Sequence, residues 1–376
     1  MGDRTTDPPE RWRIDVLMQA EISPSLERLR ADAALASKYW GRTFGGLVAI
    51  TNRERGERAL ADLWSDTLRT HQEANFLEGL RKLGIRDDEP AAVKACKYHY
   101  FTNLIGGLKM EYIEESPRKC WVRYLAPMWT YSGLAMLAMP SHVRRFNGRS
   151  WHARNGLLLG NDRLQYVKTK TVTEGEPYDE GYFIEHDKPV PPDEAFLHKA
   201  VARSPEFDPA KAPTLDPHLW PEERQLKARA NYSAGYVSRS IHVLVDRFGV
   251  DVAAYLVGHA MRGIAIQYIH ELQADAGIEG CDAHSVAALF ARILAACRQD
   301  FEVEKVSATR ARIVLHSYRP FDWEVPERLR DAYFEFQRMG GRILNGRLKI
   351  SRSVISAFGP VEQEIWEIED MGQWLW

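Results

Sequence analysis

The chain resembles itself. Shifted by 193 positions, Gly56 meets Gly249, Ala61 meets Ala254, Leu63 meets Leu256 and Arg69 meets Arg262. Farther on, Glu78 meets Glu271, Gly84-Ile85 meet Gly277-Ile278, Val93 meets Val286, Glu111 meets Glu304 and Pro127 meets Pro320. Beyond the proline the offset falls to 184, where Arg163-Leu164 meet Arg347-Leu348 and Glu180 meets Glu364. Self-similarity over such a span constrains the fold more than a local motif does, because each copy must be the same supersecondary unit. The reading is a tandem duplication forming a pseudo-twofold body inside one chain. Chance similarity between two amphipathic helical stretches is the alternative.

Each copy reads as helices followed by strands. In the second, 253–272 and 283–299 carry apolar residues at helical spacing, with Asp282 placed as an N-cap. Residues 301–320 alternate as a hairpin ending at a proline, and a helix over 326–341 closes on Gly340-Gly341 as a C-cap. Two final strands complete the copy. The first copy repeats the order, with helices near 53–83 and 89–106, a hairpin over 108–127 turning at Ser116-Pro117, a helix over 131–147 and two strands. Local helices with meandering strands predict an α+β fold and not a doubly wound sheet. The expected divisions are a helical extension over 1–50, a first copy over 51–187, a Pro-rich linker over 188–230 and a second copy over 231–376. Phe196, Leu197 and Trp220 are the linker's expected anchors.

Lys+Arg total 50 against 52 Asp+Glu, which argues against nucleic-acid binding by bulk charge. No apolar run is long enough for a membrane span and the start carries no secretory pattern. Cys96, Cys120, Cys281 and Cys297 form neither a disulfide framework nor a CxxC pair, so a cytoplasmic location is expected. No dinucleotide fingerprint or P-loop is present, and the histidines show no diagnostic metal spacing; neither cofactor nor metal is expected. The C-terminal Trp374 and Trp376 pack on the chain's own body or form a homodimer contact.

Three constellations carry candidate chemistry. On the 253–272 helix, His259, Arg262 and His270 fall within a narrow arc, since steps of three and eight residues displace them by about −60° and about +80°. Such a face binds a carboxylate and moves a proton, or is simply solvated. Arg69 is the first-copy match of Arg262. The hairpin ends are dense in aromatics and cations: Arg123, Tyr124 and Trp129 in the first copy, His316 and Arg319 in the second. These suit a flat anionic ligand, or are ordinary core and edge aromatics. In the run 161–186, alternation places Lys168 and Lys170 on one face with Tyr166, beside Glu174. A lysine pair can polarise a substrate, and equally protects an edge strand. The second copy has Arg352 for Lys168 and Val354 for Lys170, so the copies are not equivalent.

The order of elements, and the stretch NDRLQYVKTKTVTEGEPYDEGYF above all, resembles the L-2-amino-thiazoline-4-carboxylic acid hydrolase-like family. The resemblance covers residues 50–185 and again 245–370. Ala126-Pro127 and Arg319-Pro320 stand where that family has Cys-Pro, and Thr171, Gly175 and Glu176 fall at its late strand motif; its cysteines are absent. The resemblance implies opening of a small heterocycle at a C–N bond. The resulting expectation is a cofactor-independent hydrolase of a small heterocyclic or aromatic organic acid. Arg262 or Arg319 holds the carboxylate, His316 or His270 acts as base, and Glu304 or Glu174 orients it. A non-catalytic sensor or carrier with aromatic-lined pockets is the alternative.

Overall fold

In the computed structural model, residues 25–126, 140–201, 203–317, 319–321, 323–355 and 363–375 are described. The first helix, α1, runs from Leu26 to Lys82 and breaks at Gly56, with φ 79° and ψ 176°. Its repeat, Ala234–Ala276, breaks at Gly249 with φ 78° and ψ 164°. That backbone region is essentially closed to side-chain-bearing residues, so a glycine marks each break.

The remaining elements of the first module are α2 (Ala91–Ile105), β1 (Met110–Ser116), β2 (Lys119–Leu125), α3 (Ser141–Asn147), a π-helical turn (Gly148–His152), α4 (Arg154–Leu158), β3 (Leu164–Lys170), β4 (Tyr178–Glu185) and β5 (Phe196–His198). After α5 (Glu222–Asn231) and α6 (Ala234–Ala276) come α7 (Ala283–Ala296), β6 (Phe301–Ser307), β7 (Arg310–Leu315), α8 (Glu327–Tyr333), α9 (Glu335–Leu344), β8 (Leu348–Ile355) and β9 (Gln363–Asp370). The sheets run β1-β2-β4-β3-β5 and β6-β7-β9-β8, antiparallel except where β5 joins β3 in parallel. The fold is α+β in two modules.

Two compact units emerge, and their boundaries cut through the long helices. One is Trp40–Arg247; the other joins the chain up to Tyr39 with Phe248–Trp376. The expected boundary at residue 50 therefore falls inside α1. In the C-terminal unit the start of α1 is tied down by Asp32 with Arg292 at 2.6 Å, Lys38 with Glu271 at 2.7 Å, and Tyr39 Oη with Tyr333 Oη at 3.2 Å. In the N-terminal unit the start of α6 is held by Ser240 against Thr67 at 3.3 Å and by Arg247 on Asp66 at 2.8 Å.

Strand register corrects the gapless alignment. Met110 pairs with Tyr124, whereas Phe301 pairs with Leu315, so the hairpins are offset by 191 and not 193. Arg123 and Tyr124 thus correspond to Val314 and Leu315, not to His316 and Ser317. In the last strands Tyr124 faces Asp179 and Leu315 faces Glu364, so Glu364 matches Asp179 and not Glu180. The glycine pair Gly340-Gly341 lies inside α9 and does not cap it: a Cβ on Gly341 would sit 1.9 Å from Ile350 Cδ1, so packing demands the glycine. Part of the expected linker is strand β5, and Trp220 anchors it by donating Nε1–H to the Lys82 carbonyl at 2.8 Å; Leu197 is exposed. Trp374 is exposed. Among the described residues no helix is long and apolar enough to cross a membrane.

Candidate functional site

Alternation along β3 turns Leu164, Tyr166 and Lys168 to one face of the sheet. Opposite Lys168 stands Gly181 on β4, with Asp179 two residues away on the same face. A Cβ on Gly181 would lie 2.3 Å from Tyr166 Oη, so the tyrosine occupies the space that a side chain would take. Over this face come Tyr98, His99, Thr102 and Asn103 from α2, Arg144 from α3, and Trp151 and His152 from the π-helical turn. Residues of α1, among them His71, with Tyr232 and Tyr236, complete a cavity of about 250 Å³ lying wholly within the Trp40–Arg247 unit. Asn75, Glu78 and Lys82 form its exposed rim.

The floor is a buried ionic cluster. Arg144 Nη2 and Lys168 Nζ both meet Asp179 Oδ2, at 2.9 and 3.2 Å, and the Val172 amide donates to Oδ1 at 2.8 Å. All three side chains are nearly inaccessible. Burial opposes ionisation of Asp179, but Lys168, Arg144 and the Val172 amide overcome it and hold the carboxyl below its usual range. Burial pulls Lys168 below the ordinary lysine value despite the attraction of Asp179. Both cations of the cluster thus meet one carboxylate oxygen in a low-dielectric setting.

The walls are aromatic. His99 and His152 stack with centroids 4.1 Å apart and planes at 14°, and His152 stacks on Tyr166 at 4.3 Å. Tyr124 Oη lies 2.7 Å from His152 Nε2. Burial raises Tyr124 and Tyr166 well above the ordinary tyrosine value, so both keep their protons. Burial foremost, and His152 beside it, hold His99 well below the ordinary histidine value. His71, stacked on Tyr236 at 4.2 Å, is pushed down to about 4 by burial and by Arg239. The Trp151 Nε1–H is buried with no partner among the described residues, a donor that costs free energy until something accepts from it.

The C-terminal module keeps an ionic cluster and surrounds it with buried aromatic rings. Arg352 faces Trp366 across β8 and β9 as Lys168 faces Gly181 across β3 and β4. Arg352 Nε meets Glu364 at 2.8 Å and Arg330 reaches the same carboxylate at 3.4 Å. Aligned by the C-caps of α2 and α7, Gly106 and Cys297, an offset of 191 that the hairpins share, Phe290 stands at the His99 position. Aligned by the matching Asn161 and Asn345 turns, Phe336 stands at that of His152. Phe290, Phe336 and Trp366 are fully buried. Phenylalanine stands in place of both imidazoles.

Of the residues expected from sequence, Tyr124 and Lys168 line the cavity. Lys170 does not join Lys168, because the register slips between them; its Nζ meets Tyr178 Oη at 3.1 Å instead. Arg123 lies on the opposite sheet face, saturated by Glu180 at 2.6 Å and Glu111 at 2.7 Å. Glu174 is exposed and paired with Arg145 at 2.7 Å. Arg69 makes surface pairs with Asp66 and Glu73. Trp129 lies outside the described residues.

The expected second-copy triple is not assembled. His316 is exposed, 3.7 Å from Glu302; His270 is exposed; Glu304 pairs with Arg312 at 3.1 Å. Arg262 pairs with Glu335 at 2.6 Å, His259 Nδ1 lies 3.0 Å from the Tyr255 carbonyl, and Arg319 is exposed. Sequence reasoning missed His71, His99, Arg144, His152 and Asp179. The available signal was the replacement of His99 and His152 by phenylalanine at matching helix positions, legible only in the correct register.

Among the described residues no group of His, Cys, Asp and Glu is arranged to hold a metal ion. A scan against protein-family models finds no matching family, and searches of curated proteins and of solved structures find no match.

Proposed function

We propose that the Trp40–Arg247 unit takes a small, flat organic acid and hydrolyses a C–N bond in it. The observation that carries this reading is the buried Arg144–Asp179–Lys168 cluster, two cations on one carboxylate, on the floor of an aromatic cavity that also holds Tyr124 and His152. The ligand carboxylate goes to Lys168 and Arg144, and its ring stacks among His152, Tyr166 and Trp151. A volume of about 250 Å³ admits a single small ring with substituents.

In the proposed reaction, water adds its oxygen to the electrophilic carbon. Its proton passes to Tyr124 Oη as Tyr124 gives its own to His152 Nε2, 2.7 Å away. When the C–N bond breaks, that proton returns along the same path to the leaving nitrogen, so water is consumed and the chain is unchanged. The C–N assignment also draws on the resemblance to the amino-thiazoline carboxylate hydrolase-like family.

A binding module without turnover is the second reading. It is favoured by the depressed His99 and elevated Tyr124 and Tyr166, which hold their protons fixed at neutral pH. Incubation of the whole chain with thiazoline-, imidazoline- and dihydropyrimidine-carboxylates, read by mass spectrometry, separates the two. Hydrolysis yields a product heavier by one water, abolished in Lys168→Met and His152→Phe. Saturable binding with no product contradicts the hydrolase and leaves the binding module.

A further inference from the structure

One hydrogen-bond chain in this unit has its polarity fixed from outside. Gln72, wholly buried on α1, places Nε2 2.7 Å from the Trp151 carbonyl oxygen. A backbone carbonyl only accepts, so the atom facing it is the amide nitrogen. The same Nε2 lies 2.5 Å from Asn155 Oδ1, which therefore accepts. Asn155, also wholly buried, is left with its nitrogen toward His99 Nε2 at 2.8 Å. An amide nitrogen only donates, so His99 Nε2 accepts and carries no proton. Reversing Gln72 would set oxygen against oxygen at the Trp151 carbonyl. Its Oε1 already lies buried without a partner among the described residues, so the orientation is maintained at a cost.

We propose that Gln72 and Asn155 are positioning residues that hold His99 as the neutral tautomer protonated at Nδ1, and that this N–H donates to a second acceptor on the ligand, a ring nitrogen or carbonyl oxygen carried in addition to its carboxylate. His99 lines the cavity, and among the described residues its ring makes one hydrogen bond, the one at Nε2, which leaves Nδ1 for the ligand. The stacked His152 ring keeps the imidazole plane fixed at 14° to its own. Burial and the neighbouring His152 disfavour a second proton on His99. His99 is then a donor and not a base, and the substrate class narrows to carboxylic acids of N-heterocycles or cyclic amides. This rests on the reading of the cavity as a site for a small organic acid.

The test is the ring tautomer in the ligand-free whole chain, so it does not depend on turnover. Long-range 15N–1H correlation spectra distinguish imidazole protonated at Nδ1 from imidazole protonated at Nε2, and loss of the signals in His99→Gln assigns them. Wild type is expected to show the Nδ1–H tautomer at neutral pH. Asn155→Asp puts an acceptor where a donor stood, keeps the bond from Gln72, and is expected to move the proton to Nε2. An Nε2–H signature in wild type overturns the proposal, as does an Nδ1–H signature that persists in Asn155→Asp. Should Asn155→Asp not fold, the wild-type spectrum alone decides. Failure of the small-acid reading shows itself separately, as absence of carboxylate binding with the tautomer intact.

Discussion

Arg352 holds in the C-terminal sheet the place that Lys168 holds in the N-terminal one, and each cation meets a carboxylate two residues from its cross-strand partner. The difference lies in that partner: Gly181 opposite Lys168, Trp366 opposite Arg352. Such a cluster is the floor of a cavity in one module and is surrounded by buried aromatic rings in the other. Arg352→Met is expected to destabilise the protein by about 1.5–3 kcal/mol, because it removes the 2.8 Å cation from the buried Glu364, which keeps Arg330 at 3.4 Å and the Trp366 Nε1–H at 2.7 Å. Lys168→Met leaves Asp179 on Arg144 and relieves a buried ammonium, so its effect on stability is expected to be under about 2 kcal/mol, while carboxylate binding weakens at least about tenfold. Thermal unfolding and titration calorimetry on both variants check this.

Gly56→Ala and Gly249→Ala test the helix breaks. Within a regular helix such a change gains about 1 kcal/mol. At φ near 79° and 78° with extended ψ the sign reverses, and each substitution is expected to cost about 1–3 kcal/mol. Denaturant midpoints that rise would contradict the account.

Gly181→Ala drives a methyl group into Tyr166 Oη and Cζ, 2.3 and 2.5 Å from the new Cβ, and approaches the Val167 carbonyl oxygen at 2.8 Å. The expected loss is about 1–3 kcal/mol. Adding Tyr166→Leu removes the ring and is expected to recover part of it, leaving the strain against the carbonyl. A double-mutant cycle on unfolding free energies reads the coupling.

His71 sets a pH dependence. Its folded value of about 4 lies below the ordinary 6.5, so between those limits the unfolded chain takes up a proton that the folded chain refuses. Stability contributed by the neutral ring is complete above pH 6.5 and falls as the pH drops toward 4, by at most about 3 kcal/mol. His71→Phe keeps the stack on Tyr236 and removes the proton. Its melting temperature is expected to fall less steeply than wild type across that window, and an identical slope would contradict the assignment.

The helix-then-strand order and the α+β class were legible because hairpin alternation and apolar spacing are local; Gly56 and Gly249 were legible as a matched pair but not as breaks within longer helices. The site was legible only at Lys168 and Tyr124. Lys170 was misplaced by a register slip that alternation does not foresee. An offset of 193 sets His316 against Arg123, but the second copy is two residues shorter between Gly277 and the end of α7, which shifts the hairpin offset to 191. His99, His152, Arg144 and Asp179 come from four separate elements, and Gly181, which makes room for the Tyr166 ring, has no side chain to leave a chemical signature. A histidine reads the same in sequence whether it is exposed like His270 or stacked in a core like His99.

The most direct test of the central claim is calorimetric titration of the whole chain with pyridine- and thiazoline-carboxylates. One equivalent bound per chain is predicted, weakened at least about tenfold in Lys168→Met and unchanged in His316→Ala and His270→Ala. Two equivalents per chain, or binding indifferent to Lys168→Met, would contradict it.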